Sequence, residues 1–365
     1  MTTRREAIMT AATALATAIC DAMGLPSTVE PAPEPTPAPT SEFGPFTPPT
    51  IALPRLDDVM EVDVTWSTQK PSETFTGFGP RHIQNAGTLF ELGYSKSPAH
   101  GAVFQDVQVD AGALLVKAAH CKDMRMERVN FDFGKQHVNH RGICRLYGLI
   151  GHTVIKDVRW IGDPAVVDTN SIMAMILLGG KPRYLPDGSD AGNTEENIDV
   201  EYGGGTFEID GFDLQNSLIN DPSYPNTDGI SIERVFSGTI SNGRCVNVMD
   251  ACFDLKGDIR AHNIYASQAR NGIKFWQDQH HGSVMLGTFR HACIMAGKYM
   301  RDSDRKITFD YLVLEDPFTP LLGSDSYAAH VVINAGEWSP EQIWFANDCA
   351  SGSTVTLPDG TVLSN

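Results

Sequence analysis

Three aspartates and three basic residues gather in one part of the chain: Asp228, Asp250, Asp254, Lys256, Arg270 and Lys274. Carboxyls beside cations suit two ways of cutting a glycosidic bond. In hydrolysis, one carboxylic acid protonates the leaving oxygen and a carboxylate activates water, the two standing far enough apart to admit that water. Hydrolysis needs no cofactor. In elimination, a Lys or Arg of lowered pKa takes the proton beside a uronate carboxylate, with Ca²⁺ held by acidic residues as a bridge to the sugar acid. The three aspartates are therefore the candidate catalytic residues. Lys256, Arg270, Lys274, Trp276 and His291 are the candidate substrate-binding residues, Trp276 offering a flat face to a sugar ring. The same charges would equally form a ladder of surface ion pairs, each worth about 0–1 kcal/mol.

What would bring these residues together is a repeat. Gly229-Ile-Ser-Ile-Glu233, Cys252-Phe-Asp-Leu-Lys256, Gly272-Ile-Lys-Phe-Trp276 and Cys293-Ile-Met-Ala-Gly297 follow one another at about 20 to 23 residues, a solenoid period. Period-2 alternation marks each as a strand with one buried face. Ile230, Phe253, Ile273 and Ile294 form one apolar column, and Ile232, Leu255, Phe275 and Ala296 a second. Ser231, Asp254, Lys274 and Met295 then face outward, with Thr227, Asp250, Arg270 and His291 at the preceding turn. A second spaced pattern, apolar-x-apolar-x-x-apolar-x-apolar, occurs at Met124–Phe131, Phe207–Leu214, Ile259–Ala266 and Ile307–Leu314, and more loosely at Thr153–Trp160 and Val284–His291. Two strands per repeat predict an all-β fold, a right-handed parallel β-helix of about seven to nine coils. Stacked coils lie roughly 4.8 Å apart, so the charged columns would share one patch.

Around that core the chain divides by composition. Residues 1–22 carry Arg4-Arg5 ahead of an Ala/Thr-rich stretch and resemble a twin-arginine export signal, or else an anchoring arm. Residues 23–54 are a Pro-rich linker, expected to be disordered and extended. Residues 55–102 read as an N-terminal cap, 103–335 as the β-helix, and 336–365 as a C-terminal cap with a hairpin around Pro358-Asp359-Gly360. The Gly/Pro/Asp/Asn-rich stretch 179–196 reads as a long loop. A formal charge of −17 argues against nucleic acid as a partner. No apolar run reaches about 18 residues, so no membrane span is expected. The seven cysteines show no metal-ligand spacing and read as packed free thiols.

Asn226-Thr-Asp-Gly229, followed one repeat later by Asp250-Ala-Cys-Phe-Asp254, resembles the polygalacturonase-type glycoside hydrolases of family 28, in the pectin-lyase-like superfamily of right-handed parallel β-helices. In that family Asn-Thr-Asp-Gly is followed by Asp-Asp-Cys, whose aspartates supply acid and base. The resemblance implies these roles for Asp228 and Asp250; Ala251 stands where the family has its second aspartate, and the family's Gly-His-Gly has no counterpart one repeat on. Gly272-Ile-Lys274 is loosely similar to the family's Arg-Ile-Lys substrate motif.

The expected function is an exported, periplasmic or extracellular polysaccharide hydrolase or lyase acting on an acidic glycan, with no metal required for hydrolysis and Ca²⁺ for a lyase. The alternatives are a phage tailspike-like virion protein that binds or degrades surface polysaccharide, and a non-catalytic adhesin. The first would be a monomer, the tailspike a homotrimer. Replacing Arg4 and Arg5 by Lys is expected to leave the precursor in the cytoplasm, as cell fractionation would report; unchanged secretion would refute a twin-arginine signal.

Overall fold

The computed structural model describes residues 60–61, 67–68, 74–76, 78–79, 88–92, 100–109, 114–132, 142–162, 174–179, 203–217, 227–296, 304–324 and 327–365. The leader, the Pro-rich linker, Asn226 and most of the long loop after Gly179 lie outside the described residues. What is described is all-β. Among the described residues there is no helix, and so none long and apolar enough to cross a membrane.

Among the described residues, apart from the parallel pair Met60–Glu61 with Phe78–Gly79, the strands build one thirteen-stranded and one ten-stranded sheet, and the chain passes from one to the other at almost every step. Asp228–Ile232, Ala251–Leu255, Ala269–Phe275, Phe289–Met295 and Leu322–Ser324 are consecutive neighbours in the ten-stranded sheet. Phe236–Val248, Asp258–Ser267, Gln279–Leu286 and Arg305–Leu314 alternate with them and are consecutive neighbours in the thirteen-stranded sheet. Among the described residues every strand pair is parallel except the closing hairpin, Thr354–Thr356 with Val362–Ser364. Strands of the segment expected as a cap already extend both sheets, Thr88–Leu92 pairing with Leu114–Ala119 and Thr74–Thr76 with Val103–Val109.

The internal gap in the second sequence pattern has a backbone cause. Asp106, Arg128, Asp157, Gly211, Asn242 and Asn263 fall in that gap on successive strands, each with φ between 51° and 72°. A left-handed residue bends the strand, so the ladder skips it and two apolar pairs face the interior from either side. Asn, Asp and Gly tolerate this conformation best, and Asn263 Nδ2 donates to Asn242 Oδ1 at 2.7 Å to tie two bends together.

Interior columns fill the space between the sheets. Ile230, Phe253 and Ile273 stack as expected, fully buried, and Phe253 meets the edge of Phe212 at 6.0 Å. The fourth member differs: Ile273 pairs with Cys293, while Ile294 pairs with Lys274 on the outer face. The last segment is thus one residue out of the expected register. Met295, not Ala296, continues the column of Ile232, Leu255 and Phe275. The small, apolar Cys293 hid the slip by filling an inner position that Ile294 suited equally well in hydropathy. The six cysteines among the described residues are all free and buried, and burial pushes the thiols of Cys121 and Cys144 up to about 12.

One strand reads poorly in sequence because two of its inner positions are polar. Gln279–Leu286 pairs with Arg305–Leu314 so that Gln279 and His281 lie opposite Ile307 and Phe309. The looser match at Val284–His291 is thereby corrected; the pattern starts at Gln279. Both side chains are satisfied internally. Gln279 Nε2 donates to the carbonyls of Leu255 (2.9 Å) and Gly257 (3.2 Å), His281 Nδ1 accepts the Ala261 N–H (3.0 Å), and His281 Nε2 faces Gln279 Oε1 (3.2 Å). That pattern requires a neutral imidazole with its proton on Nε2, and burial holds its pKa down at about 3, against an ordinary 6.5. Between those values the unfolded chain binds the proton and the folded one does not. Stability is therefore full above pH ~6.5 and falls as pH drops towards ~3. Acid unfolding midpoints should show this loss, and His281→Gln should flatten that segment of the profile.

Candidate functional site

The outer face of the ten-stranded sheet gathers the acidic and basic residues. Ser231, Asp254, Lys274 and Ile294 form one row by direct pairing. Ala251, Asn271 and His291 form a second, which the same register extends back to Asp228. The ladder passes over Cys252, Gly272 and Ala292, so the residues before and after them do not follow simple alternation. A Cβ on Gly229 would strike Cys245 Sγ at 2.2 Å, so that position faces the interior, while Asp228 beside it reaches outward to Lys274. Glycine is required there by the close approach of the two sheets.

Lys274 is the hub. Its Nζ is hydrogen-bonded to Asp250 Oδ2 and lies 3.7 Å from Asp228 Oδ1. Asp228 is 2% exposed. Its Oδ1 also accepts the Ala251 N–H at 3.1 Å. Burial, reinforced by Asp254 and Asp250, pushes its carboxyl well above the ordinary range, Lys274 and Lys256 compensating only in part. Asp250 is held on its other oxygen by Asn271 Nδ2 at 3.1 Å. Asp254 accepts the indole N–H of Trp276 at 2.7 Å. Lys256 bonds Glu233 at 2.6 Å, stands 3.7 Å from Asp254 and lies 5.3 Å from the Trp276 ring centroid, a cation–π distance. Burial works to lower both lysines. Asp254 and Glu233 around Lys256, and the three aspartates around Lys274, outweigh it and hold both above the ordinary lysine value.

Asp228, Asp250, Asp254, Lys256, Lys274 and Trp276 are thus brought together. Arg270 is exposed and adjacent to the group through its strand neighbour Asn271. His291 is placed differently from its expected position: it belongs to the Asn271 row rather than to the turn row of Asp250 and Arg270. It is 3% exposed, and both ring nitrogens have protein partners, Asn271 Oδ1 and Asp348 Oδ1, each at 3.0 Å. It has no nitrogen left to offer a ligand. Sequence reasoning assigned no role to Glu233, Asn271 or Asp348. The first two sit at legible register positions; Asp348 comes from a distant turn with no periodic signal.

Among the described residues no three His, Cys, Asp or Glu side chains converge to hold a metal ion, and Asp228 and Asp250 instead share the Lys274 ammonium. The arrangement defines a class only: an all-β protein of stacked parallel strands with a carboxyl-rich, lysine-bridged face. The chain matches no known family model, no curated protein and no solved structure.

A carboxyl whose folded pKa is raised has its full stability below ~3.8 and loses it as pH climbs through the folded value. Asp228→Asn is therefore expected to raise the melting temperature at neutral pH, with the gain vanishing as pH falls towards 3.8. Melting curves of both proteins between pH 3.5 and 8 would test this; equal curves throughout would mean Asp228 is not desolvated.

Proposed function

We propose that this chain is an exported right-handed parallel β-helix of about seven to nine coils, similar in kind to the pectin-lyase-like proteins, that hydrolyses glycosidic bonds in an acidic glycan. The observation that carries the reading is the pairing of unlike aspartates: Asp228, whose carboxyl burial pushes well above the ordinary range, beside Asp250, hydrogen-bonded to Lys274 and Asn271. Two carboxyls whose environments differ in this way divide into proton donor and proton acceptor. Asp228 gives its proton to the leaving glycosidic oxygen. Asp250 takes one from the water that attacks the anomeric carbon. Asp254 holds the Trp276 ring through its indole N–H, placing an aromatic face beside the reacting bond. Exposed Arg270 and partly exposed Lys256 supply positive charge for a uronate carboxylate.

Hydrolysis is favoured over elimination by the state of the lysines. A lysine base must be free to lose its proton, and both lysines are held above their ordinary value by neighbouring carboxyls. Neither role requires Ca²⁺.

On polygalacturonate and other uronate polymers, the protein should release reducing ends without an ultraviolet-absorbing unsaturated product. Asp228→Asn and Asp250→Asn should each lower turnover by roughly 10²- to 10⁴-fold with the fold retained. An absorbing product abolished by Lys274→Ala would replace hydrolysis by elimination. Binding without any cleavage, unaffected by these substitutions, would return the protein to the adhesive or tailspike-like alternatives.

A further inference from the structure

We propose that His291 is a positioning residue: an imidazolium that bridges Asp348 and Asn271 and so fixes the amide that holds Asp250. This rests on the hydrolytic reading for its functional meaning, but the charge state itself follows from donors and acceptors. Asp250 Oδ1 lies 3.1 Å from Asn271 Nδ2. A carboxylate only accepts, so the amide nitrogen must face it and the amide oxygen must face His291. That oxygen is 3.0 Å from His291 Nδ1, which must then carry a hydrogen. On the other side His291 Nε2 stands 3.0 Å from Asp348 Oδ1, again an acceptor. Asp348 is also paired with Arg290 at 3.0 Å. Burial opposes its charge, but His291 and Arg290 outweigh that and keep its carboxyl below the ordinary carboxylate range. Both ring nitrogens therefore donate, and only the protonated ring has two N–H groups.

The surroundings make this proton removable. Burial pushes the His291 pKa down, Asp348 pulls it back up, and Arg290 and Arg270 push it down again. The strand Leu322–Ser324, packed on the far side of the ring, brings only Gly323, where a Cβ would lie 2.8 Å from the imidazole. When the proton leaves, the N–H facing the Asp348 carboxylate is the one retained, because that bond joins opposite charges. Nδ1 then becomes an acceptor and faces the acceptor oxygen of Asn271. The amide turns over to donate to the ring and presents its oxygen to Asp250, which loses a donor. The chain Asp348–His291–Asn271–Asp250 is thus a switch, complete on the acidic side of the His291 titration and broken on the basic side.

The charge state can be read without any substrate. In the full-length protein labelled with ¹⁵N-histidine, His291 should show two protonated nitrogens at low pH and lose the Nδ1 proton on titration. Asp348→Asn, a change at a half-exposed turn residue, should move that midpoint further down. A His291 that is neutral throughout pH 4 to 7, or a midpoint indifferent to Asp348→Asn, would overturn the proposal. In turnover, His291→Gln should lower kcat by roughly 10- to 100-fold with little change in KM, and should remove the basic limb that Asp348→Asn shifts to lower pH. A turnover profile unchanged in both variants would also overturn it. If wild-type protein cleaves no glycan while the NMR titration behaves as expected, the hydrolytic reading fails and the relay stands.

Discussion

Stacking puts every side chain on a strand directly over its counterpart on the next, at a spacing of about 4.8 Å. Inside, that constraint is easily met, since isoleucine on phenylalanine on isoleucine only improves the packing. Outside, it is severe for charge. Aspartates on neighbouring strands cannot all ionise at that spacing unless a cation stands among them, and Lys274 and Lys256 occupy those places. The lysines are what allow a face with Asp228, Asp250 and Asp254 to form at all.

The same crowding creates unlike carboxyls. Asp254 and Asp250 each have a strong donor close by, whereas Asp228 has one backbone N–H and a distant ammonium at the bottom of the group. Burial at that position, with two further carboxyls close by, is what raises the Asp228 carboxyl. The stability held back at Asp228 is of the kind that functional sites retain, a desolvated polar group which an amide would relieve.

The two-sheet fold was legible because apolar columns repeat at a nearly constant period and the second pattern carries the same internal gap each time; that the gap is a backbone bend is visible only in the left-handed residues that fill it. Strands that escaped notice have specific reasons. Phe236–Val248 has Gly238 and Gly243 at inner positions, where a Cβ would meet the Phe207 carbonyl at 2.1 Å and the Phe212 ring at 2.2 Å. The large neighbours fill the space, so the repeat shows no apolar residue of its own there. Gln279 and His281 hid another strand by satisfying each other inside. The aspartate–lysine group could be read from register, since each member sits on a repeating strand. The slip at Cys293 displaced His291 by one position, and Asp348, 57 residues further along, has no periodic relation to the ring it bonds.

The closing hairpin bears on a different problem. A stack of parallel strands offers the same hydrogen-bonding edge at its end as within, and another molecule could add to it indefinitely, as amyloid does. Here the last strand, Val362–Ser364, runs antiparallel to Thr354–Thr356. Phe345 bridges to Leu322, with the Ala346 N–H bonded to the Leu322 carbonyl at the end of the ten-stranded sheet. Reversing that strand gives the edge of the thirteen-stranded sheet a polarity opposite to the strands beneath it, so the edge is no longer a continuation of the parallel template that the interior repeats.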